Sequence, residues 1–294
     1  MKPVLTLGVL LALSSAAAQT CQGRVITHAL GVTCVPRTPQ RVVVLDAGPL
    51  DTAIALGIKP IGAVGKSAAD NEFVTYLKDR TQGVANVGVI QQPNLEKILA
   101  LKPDLILSAK IRHGELYPQL SRIAPTVMTE SVGATWRSDL LLWGDALGRK
   151  AQAQTLLNQF RVKAKRIGQR QRQVSVSVVR FLPQQTRIMH RASFIGTVLD
   201  EAGLTRPASQ RVNDFAAYVS AEGIPQMDGT FLFYTSFGDP KTTTQNEMLK
   251  HPLWQTLVAV KAGRAIAVDD DYWMTGTGIL AANRVLDDLA KTLK

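Results

Sequence analysis

Residues 38–49 read TPQRVVVLDAGP, a short apolar run that ends at an Asp-Ala-Gly-Pro turn sequence. A run of this kind, bounded by turn residues, is typical of a strand that is buried on both faces of a parallel sheet. A helical pattern follows from Leu50 to Leu56 and stops at Gly57, and a second buried strand follows at residues 60–65. This succession predicts an α/β fold with crossover connections between parallel strands.

The same alternation continues in both halves of the chain. Further strands are predicted at residues 104–108, 174–181, 230–234 and 265–268, and helices at residues 95–101, 194–202 and 279–293. Between the halves, residues 138–168 keep apolar side chains at helical spacing and contain no proline. A glycine in a helix interior costs about 1 kcal/mol, so a break near Gly148 is an alternative. We predict one long helix.

The chain is therefore expected to form two α/β lobes on either side of that helix. The expected division is a signal peptide at residues 1–18, a first lobe at 19–137, the connecting helix at 138–168 and a second lobe at 169–294. A mature chain of about 275 residues is long enough for two domains. Because no low-complexity linker separates the lobes, we expect a stiff connection.

The first residues are typical of a secretory signal. Lys2 precedes an apolar stretch that ends at Leu13, and small residues follow up to Ala18. Cleavage at this site would release Gln19 as the new start of the chain. The apolar stretch is too short for a membrane span. We therefore expect an exported protein in the periplasm or another extracytoplasmic space.

Cys21 and Cys34 are the two cysteines of the chain. In an oxidising compartment we expect them to form a disulfide. The residues between them alternate in polarity except at residues 29–31, which predicts a hairpin that the disulfide closes near its ends. Two free thiols are one alternative. A lipid anchor on Cys21 is another, although Gln19 and Thr20 stand where a lipidation signal has small residues.

The formal net charge is +11, which favours anionic partners through long-range attraction without choosing among them. The densest group of cations lies at residues 161–172 and has neither interleaved aromatic residues nor a nucleic-acid-binding motif. We interpret it as a solvated helix face and expect no nucleic-acid partner.

Several motifs along the chain resemble the periplasmic binding proteins for siderophores, haem and vitamin B12. The motifs that carry this resemblance are TPQRVVVL at 38–45, VG at 87–88, QPNLE at 92–96 and LKPDLI at 101–106. Three others are similar to the ferric dicitrate-binding branch: RH at 112–113 with Tyr117, IAP at 123–125 and PLWQ at 252–255. The resemblance covers essentially the whole mature chain.

The resemblance implies a class III periplasmic binding protein, with two Rossmann-like lobes joined by a single long helix and the ligand in the cleft between them. It also implies a monomer without a cofactor that delivers a ferric chelate to an ABC importer. In such proteins a surface glutamate of each lobe docks onto the permease. Glu96 matches this position within Asn-Leu-Glu, and Glu222 matches it less closely because Gly223-Ile224-Pro225 follows. The alternative for each is an ordinary glutamate in a first helical turn.

Open α/β sheets bind ligands beyond the carboxyl ends of their strands, and several cations follow the predicted strands. Arginine donates paired hydrogen bonds to a carboxylate and keeps its charge, which suits an anionic iron chelate such as iron(III) dicitrate. The expected charged contacts are Arg112, Arg180 and Arg191, followed by Lys66 and Lys110. The expected uncharged contacts are Gln92, His113, Tyr272 and Trp273.

Direct iron ligation is not expected, because a chelate already saturates the metal. His113, His190 and Tyr117 could complete the coordination of a partly chelated iron, but their spacing is not a metal-ligand signature. Haem, vitamin B12 or a hydroxamate siderophore are the alternative ligands. Haem would favour an axial Tyr or His, and a corrinoid would favour an aromatic cleft with little charge. The arginines at the strand ends favour an anionic chelate.

One motif favours a different class, a dinucleotide-binding enzyme. Residues 276–281 read GTGILA, a G-x-G-x-x-A run before a predicted helix. Only 16 residues follow Gly278, so the acidic ribose partner about 20 residues further on cannot exist. We expect no enzyme, and we interpret the glycines as a turn that lets Trp273 face the cleft.

Overall fold

The computed structural model describes residues 21–66, 72–169 and 174–293. The predicted signal peptide lies outside the described residues, as do Arg170 and Arg172 of the basic group. None of the helices in the described part of the chain combines the length and the apolar character needed to cross a membrane.

The chain begins with a disulfide-closed hairpin. Strands β1 (Arg24–His28) and β2 (Gly31–Val35) pair in antiparallel register, and Gly31 has the positive φ of 126° that favours glycine in a tight connection. Cys21 and Cys34 form a disulfide with a Cα–Cα distance of 5.7 Å. The predicted hairpin and its disulfide are both confirmed.

A six-stranded sheet forms the centre of the first lobe. Its strands are β3 (Val42–Val44), β4 (Gly62–Gly65), β5 (Ala85–Val89), β6 (Gln92–Pro93), β7 (Leu105–Ala109) and β8 (Thr126–Thr129). The spatial order is β6-β5-β4-β3-β7-β8, and every neighbouring pair is parallel except β5 and β6. Every residue of β3, β7 and β8 is buried, which explains why the sequence shows continuous apolar runs there.

Four helices follow these strands. They are α1 (Ala47–Ala55), α2 (Leu95–Ala100), α3 (Lys110–His113) and α4 (Tyr117–Ile123). Helix α1 begins earlier than predicted, since Asp46 caps it by accepting a hydrogen bond from the Ala47 N–H. Pro49 lies in the first turn, where the helix does not need its missing N–H.

Two helices connect the lobes, α5 (Trp136–Ala146) and α6 (Lys150–Gln169). The 20-residue α6 confirms the expectation of a long joining helix. The prediction that one helix runs without interruption from residue 138 to 168 is wrong. Gly148 has a φ of 73°, the left-handed conformation that ends a helix, and an added Cβ would lie 2.9 Å from the Arg37 carbonyl oxygen. The glycine therefore ends α5.

The second lobe contains a five-stranded mixed sheet. Its strands are β9 (Val176–Leu182), β10 (Gln185–Met189), β11 (Ala216–Val219), β12 (Phe231–Ser236) and β13 (Ala265–Ala267). The spatial order is β11-β10-β9-β12-β13. Strands β9, β12 and β13 are parallel, as predicted. Strand β10 pairs antiparallel with both β9 and β11, and neither β10 nor β11 was predicted from the sequence.

The remaining helices are α7 (Phe194–Glu201), α8 (Gln245–Lys250), α9 (Val258–Lys261) and α10 (Ile279–Thr292). Helix α10 packs against α1 and α5 and also against α6 and α7. One buried core cluster accordingly contains Leu50 and Trp136 together with Phe233 and Leu286. The two lobes therefore share one hydrophobic core.

Candidate functional site

A cleft of about 320 Å³ lies between the lobes. Its first-lobe wall contains four polar residues: Asp46, Lys66, Gln91 and Arg112. They follow β3, β4, β5 and β7 respectively. The carboxyl ends of the parallel strands therefore supply the polar groups of this wall, as open α/β sheets generally do.

The second-lobe wall combines cations with a larger apolar surface. Arg180 lies on β9 and Arg187 on β10, and Thr275 adds a hydroxyl group. The apolar lining residues are Leu182, Met189, Phe194, Ile195, Phe215, Phe237, Trp273 and Met274. An apolar cleft with a few convergent charges is suited to an organic ligand that carries anionic groups.

Three of the cleft cations are held by carboxylates of the protein. Lys66 Nζ lies 3.1 Å from Asp271 Oδ2, and Arg112 Nε lies 3.1 Å from Asp46 Oδ2. Arg180 makes a two-pronged pair with Asp270, with Nε–Oδ1 at 2.7 Å and a terminal nitrogen at 2.5 Å from Oδ2. An arginine carries five N–H donors, so Arg112 and Arg180 have more donors than these carboxylates accept.

Asp270 and the single π-helical turn that follows it, Asp271–Thr275, bring two of these pairs together. Asp271 belongs to the second lobe, yet it contacts Lys66 and also accepts a hydrogen bond from the Thr75 N–H at 2.7 Å. Its neighbour Asp270 holds Arg180. Adjacent carboxylates therefore position one cation of each lobe. Turns of this type are frequent at functional sites.

Arg187 is the fourth cation of the cleft lining, and it was not predicted from the sequence. The predicted contacts follow strands, whereas Arg187 lies within β10. Since β10 runs antiparallel to β9, its amino end meets the carboxyl end of β9, and Arg187 pairs directly with Arg180. The signal was the Pro183-Gln184 turn between two strand-like runs, which predicts a hairpin.

Of the predicted contacts, Lys66, Arg112, Arg180 and Trp273 line the cleft. Trp273 is fully buried and stacks on Phe233, with ring centroids 4.9 Å apart. Its indole N–H donates to Asp288 Oδ2 at 3.1 Å. The residue therefore offers the cleft apolar surface.

The structure places the other predicted contacts elsewhere, as far as the described residues show. Arg191 is exposed and pairs with Asp200 at 2.9 Å. The hydroxyl of Tyr272 donates to Asp288 at 2.8 Å. Lys110 pairs with Glu130 at 2.7 Å. Gln92 lies in β6 outside the cleft lining, and its neighbour Gln91 takes the position expected for it.

The expected histidine contact is a buried structural residue. His113 Nδ1 lies 2.7 Å from Ser108 Oγ, and Nε2 lies 2.7 Å from the Ile90 carbonyl oxygen. Burial lowers the pKa of His113, which favours the neutral ring. Nε2–H then donates to the carbonyl and Nδ1 accepts from the serine hydroxyl. Both ring nitrogens are thus occupied, and His113 does not line the cleft.

His190 and Tyr117, the other candidate iron ligands, are not among the residues that line the cleft. Burial lowers the pKa of His190, and Tyr117 packs against His28 of the hairpin with ring centroids 5.6 Å apart. Within residues 21–66, 72–169 and 174–293, no group of three His, Cys, Asp or Glu side chains is arranged to hold a metal ion.

The glycines of the G-x-G-x-x-A run allow a close approach of Asp51. A Cβ on Gly278 would lie 2.3 Å from the Asp51 carboxylate, and one on Gly276 would lie 2.4 Å from the Tyr76 hydroxyl. Asp51 accepts hydrogen bonds from Leu280 N–H and Ala281 N–H, each at 2.9 Å. A carboxylate of the protein thus occupies the helix N-terminus where a dinucleotide site holds phosphate. The glycines serve a contact between lobes, which replaces our interpretation that they orient Trp273.

The two glutamates expected at a permease interface are exposed. Glu96 lies in the first turn of α2, two residues after the capping residue Asn94. Glu222 lies in a 3₁₀ helix, Ala221–Met227, that contains Pro225. It accepts a hydrogen bond from the Ser220 hydroxyl at 2.6 Å. The departure from a regular helix that the sequence indicated near Glu222 is therefore present.

Comparisons with known proteins agree with this geometry. The model of the family described as periplasmic binding protein matches residues 42–272. A probable siderophore-binding lipoprotein of Bacillus subtilis strain 168 is 38% identical over 291 residues, covering 94% of this chain and 89% of the relative. The Fe(3+) dicitrate-binding periplasmic protein of Escherichia coli K12 is 29% identical, covering 97% of this chain and 93% of the relative.

A solved structure, Staphylococcus aureus SirA in complex with staphyloferrin B, matches with a TM-score of 0.82 and 31% identity. The match covers 92% of this chain and 98% of that chain. The resemblance noted in the motifs and the expected two-lobed fold are both confirmed.

Proposed function

The chain belongs to the periplasmic binding protein family, and from this premise we propose that it captures a ferric siderophore and delivers it to an ABC importer. Proteins of this kind bind a ligand without a cofactor and are not enzymes. The observation that carries the proposal is the cleft between the lobes, in which carboxylate-held cations of both lobes face an apolar wall.

The ligand we propose is iron(III) dicitrate or another anionic carboxylate chelate. Such a chelate presents carboxylate oxygens on its outside, and Lys66, Arg112 and Arg180 supply charged donors on both walls of the cleft. Trp273 and its apolar neighbours would cover the organic part of the ligand. The name of the Escherichia coli relative supports the same ligand class.

Contact with the ligand would be through hydrogen bonds to the chelate and not through bonds to iron. Within the described ranges no side-chain cluster is arranged for a metal ion, and His113 uses both ring nitrogens within the first lobe. Haem is a weaker candidate for the same reason, because an axial histidine or tyrosine would have to face the cleft. The charged walls also fit a corrinoid or a neutral hydroxamate chelate less well.

The test is a binding titration that follows tryptophan fluorescence, since Trp273 lines the cleft. Ferric citrate should quench the fluorescence, whereas free citrate at the same concentration should not. Equal responses to both compounds, or no response to either, would contradict the citrate assignment. Parallel titrations with a hydroxamate chelate, a catecholate chelate, haem and cobalamin rank the ligand classes.

A double substitution places the binding site. Arg112→Ala with Arg180→Ala should weaken ferric citrate binding while the protein stays folded. Arg122→Ala with Arg161→Ala is the matched control, because it removes the same charge from two exposed helix positions. Unchanged affinity in the first double variant would show that the ligand binds elsewhere.

We further propose that Glu96 and Glu222 dock onto the importer, one from each lobe. Both carboxylates are exposed and therefore accessible to arginines of a permease. Glu96→Lys should abolish ligand uptake by cells while leaving ligand affinity unchanged, and Glu222→Lys should reduce uptake to a smaller extent. Full uptake by the double variant would contradict the docking role.

For localisation, we propose that a signal peptide at residues 1–18 directs export of the protein. The disulfide uses Sγ of Cys21, the atom that a lipid anchor would modify, which supports a mature protein without lipid. Mass spectrometry of the secreted protein should find Gln19 at the start and no lipid on Cys21.

A further inference from the structure

The charges of the cleft do not balance, and the excess lies at one residue. Lys66, Arg112 and Arg180 each form an ion pair with a carboxylate of the protein, Asp271, Asp46 and Asp270 in that order. Within the described residues, no carboxylate lies at ion-pair distance from Arg187. The surplus positive charge of the cleft is therefore concentrated at Arg187 and is not spread over its walls.

The position of Arg187 makes this surplus costly to the ligand-free protein. Arg187 pairs directly with Arg180 across β9 and β10, and like charges at directly opposite positions destabilise a sheet. Asp270 offsets the charge of Arg180 through two hydrogen bonds. Arg187 contacts only an uncharged acceptor among the described polar partners, Gln185 Oε1, at 3.3 Å.

Two aromatic rings orient Arg187 without neutralising it. The guanidinium carbon lies 5.8 Å from the ring centroid of Phe215 and 5.4 Å from that of Tyr218. Both distances are within the range of cation–π contacts. Tyr218 is also the cross-strand neighbour of Arg187 on β11. The rings hold the guanidinium on the cleft wall with its charge unpaired.

Resting on the function proposed above, we infer that Arg187 selects chelates that carry a carboxylate not used in binding iron. A guanidinium and a carboxylate form paired, charge-assisted hydrogen bonds. Leu182, Met189 and Phe237 of the same wall lower the local polarity, which strengthens such a pair. A neutral chelate in the same place would cover Arg187 without offering it a partner, and an unpaired buried charge is unfavourable.

The test compares two chelates in four proteins. Ferric citrate keeps carboxylate oxygens outside the metal sphere, whereas ferrichrome is a neutral chelate that binds iron through hydroxamates. Binding of both is measured for the wild type, Arg187→Gln, Arg187→Lys and the control Arg161→Gln, which removes the same charge from an exposed position on α6. Thermal unfolding of each protein shows that it is folded.

We expect Arg187→Gln to weaken ferric citrate binding by roughly 10- to 100-fold, as for the loss of a charged hydrogen bond, and to leave ferrichrome unaffected or better bound. Arg187→Lys should be intermediate, because it keeps the charge without the planar fork. The affinity for ferric citrate should also depend less on salt in Arg187→Gln than in the wild type.

Three outcomes would overturn the inference. Unchanged ferric citrate affinity in Arg187→Gln, or an equal loss for both chelates, would remove the selective role of Arg187 and leave the proposed function standing. A wild type that binds neither chelate nor any other ferric siderophore would overturn the proposed function and the role of Arg187 together.

Discussion

The carboxylate of Asp51 accepts a hydrogen bond from the backbone N–H of Leu280 at 2.9 Å. Asp51 lies in α1 of the first lobe, whereas Leu280 lies in the first turn of α10, the helix that packs against both lobes. The Tyr76 hydroxyl donates to the other carboxylate oxygen at 2.8 Å. This arrangement caps α10 from a neighbouring element and ties the last helix of the chain to the first lobe.

Replacing Asp51 should weaken the protein. In Asp51→Asn, one of the two acceptor oxygens becomes an amide nitrogen, which cannot accept from a backbone N–H. Leaving a buried donor unsatisfied costs about 1–3 kcal/mol, so the free energy of unfolding should fall by that amount. Urea denaturation measures it, with Asp79→Asn at an exposed position as the control. A loss no greater than that of the control would show that the cap contributes little.

The buried carboxyl of Asp139 should make stability depend on pH. Burial raises its pKa to about 7 from an ordinary value of 3.8, and the Thr135 hydroxyl is its hydrogen-bond donor. Between about pH 4 and pH 7 the folded protein retains a proton that the unfolded chain has lost. The stabilising contribution is therefore present in full below pH 4 and is lost as the pH rises through 7.

Asp139→Asn, which is neutral at every pH, isolates this effect. Relative to the wild type, its free energy of unfolding should increase between pH 5 and pH 8. Urea denaturation at both pH values checks the sign, and Asp79→Asn should show a much smaller change. A difference between variant and wild type that is the same at both pH values would contradict the buried, protonated carboxyl.

The pairing of Arg187 with Arg180 should be measurable without any ligand. Arg187→Gln removes one of two like charges at opposite strand positions, so the free energy of unfolding should rise by about 0.2–1 kcal/mol. The gain should shrink at high salt, because salt screens the repulsion between partly exposed charges. Chemical denaturation at low and high ionic strength measures both effects. A loss of stability at low salt would mean that the aromatic contacts of Arg187 outweigh the repulsion.

The disulfide should contribute stability but not ligand affinity. Replacing Cys21 and Cys34 together by serine opens a loop with a sequence separation of 13 and should lower the free energy of unfolding by about 3 kcal/mol. The β1–β2 hairpin does not line the cleft, so ferric citrate affinity should not change. Comparing the double variant with the wild type, oxidised and reduced, checks the first point. A changed affinity would show that the hairpin supports the cleft.

Much of the architecture was predictable because it follows local patterns. Buried parallel strands produce apolar runs such as residues 42–44, and the hairpin between Cys21 and Cys34 shows alternation with a turn between. The break at Gly148 was the alternative we set aside. A glycine propensity of about 1 kcal/mol does not settle the matter, since the backbone near Arg37 excludes a side chain there.

The candidate site was likewise predictable from the sequence only in part. The position of Arg112 and Lys66 after strands placed them at the carboxyl edge of the first sheet, where the structure has them. Arg191 was also expected in a loop after a strand, yet its side chain pairs with Asp200 on α7. Arg187 does not follow a predicted strand, and it lines the cleft because β10 lies beside β9.

By itself, the sequence determined the α/β class, the two lobes, the disulfide hairpin and the family motifs, since each depends on residues that are close in the chain or on their period. The tertiary structure alone decided which cations face the cleft, which carboxylates pair with them and that Arg187 has no carboxylate partner among the described residues. Partners such as Lys66 and Asp271 are more than 200 positions apart and meet only when the lobes pack together. Charge pairing across such distances has no local signature, because it arises from packing and not from propensity or spacing.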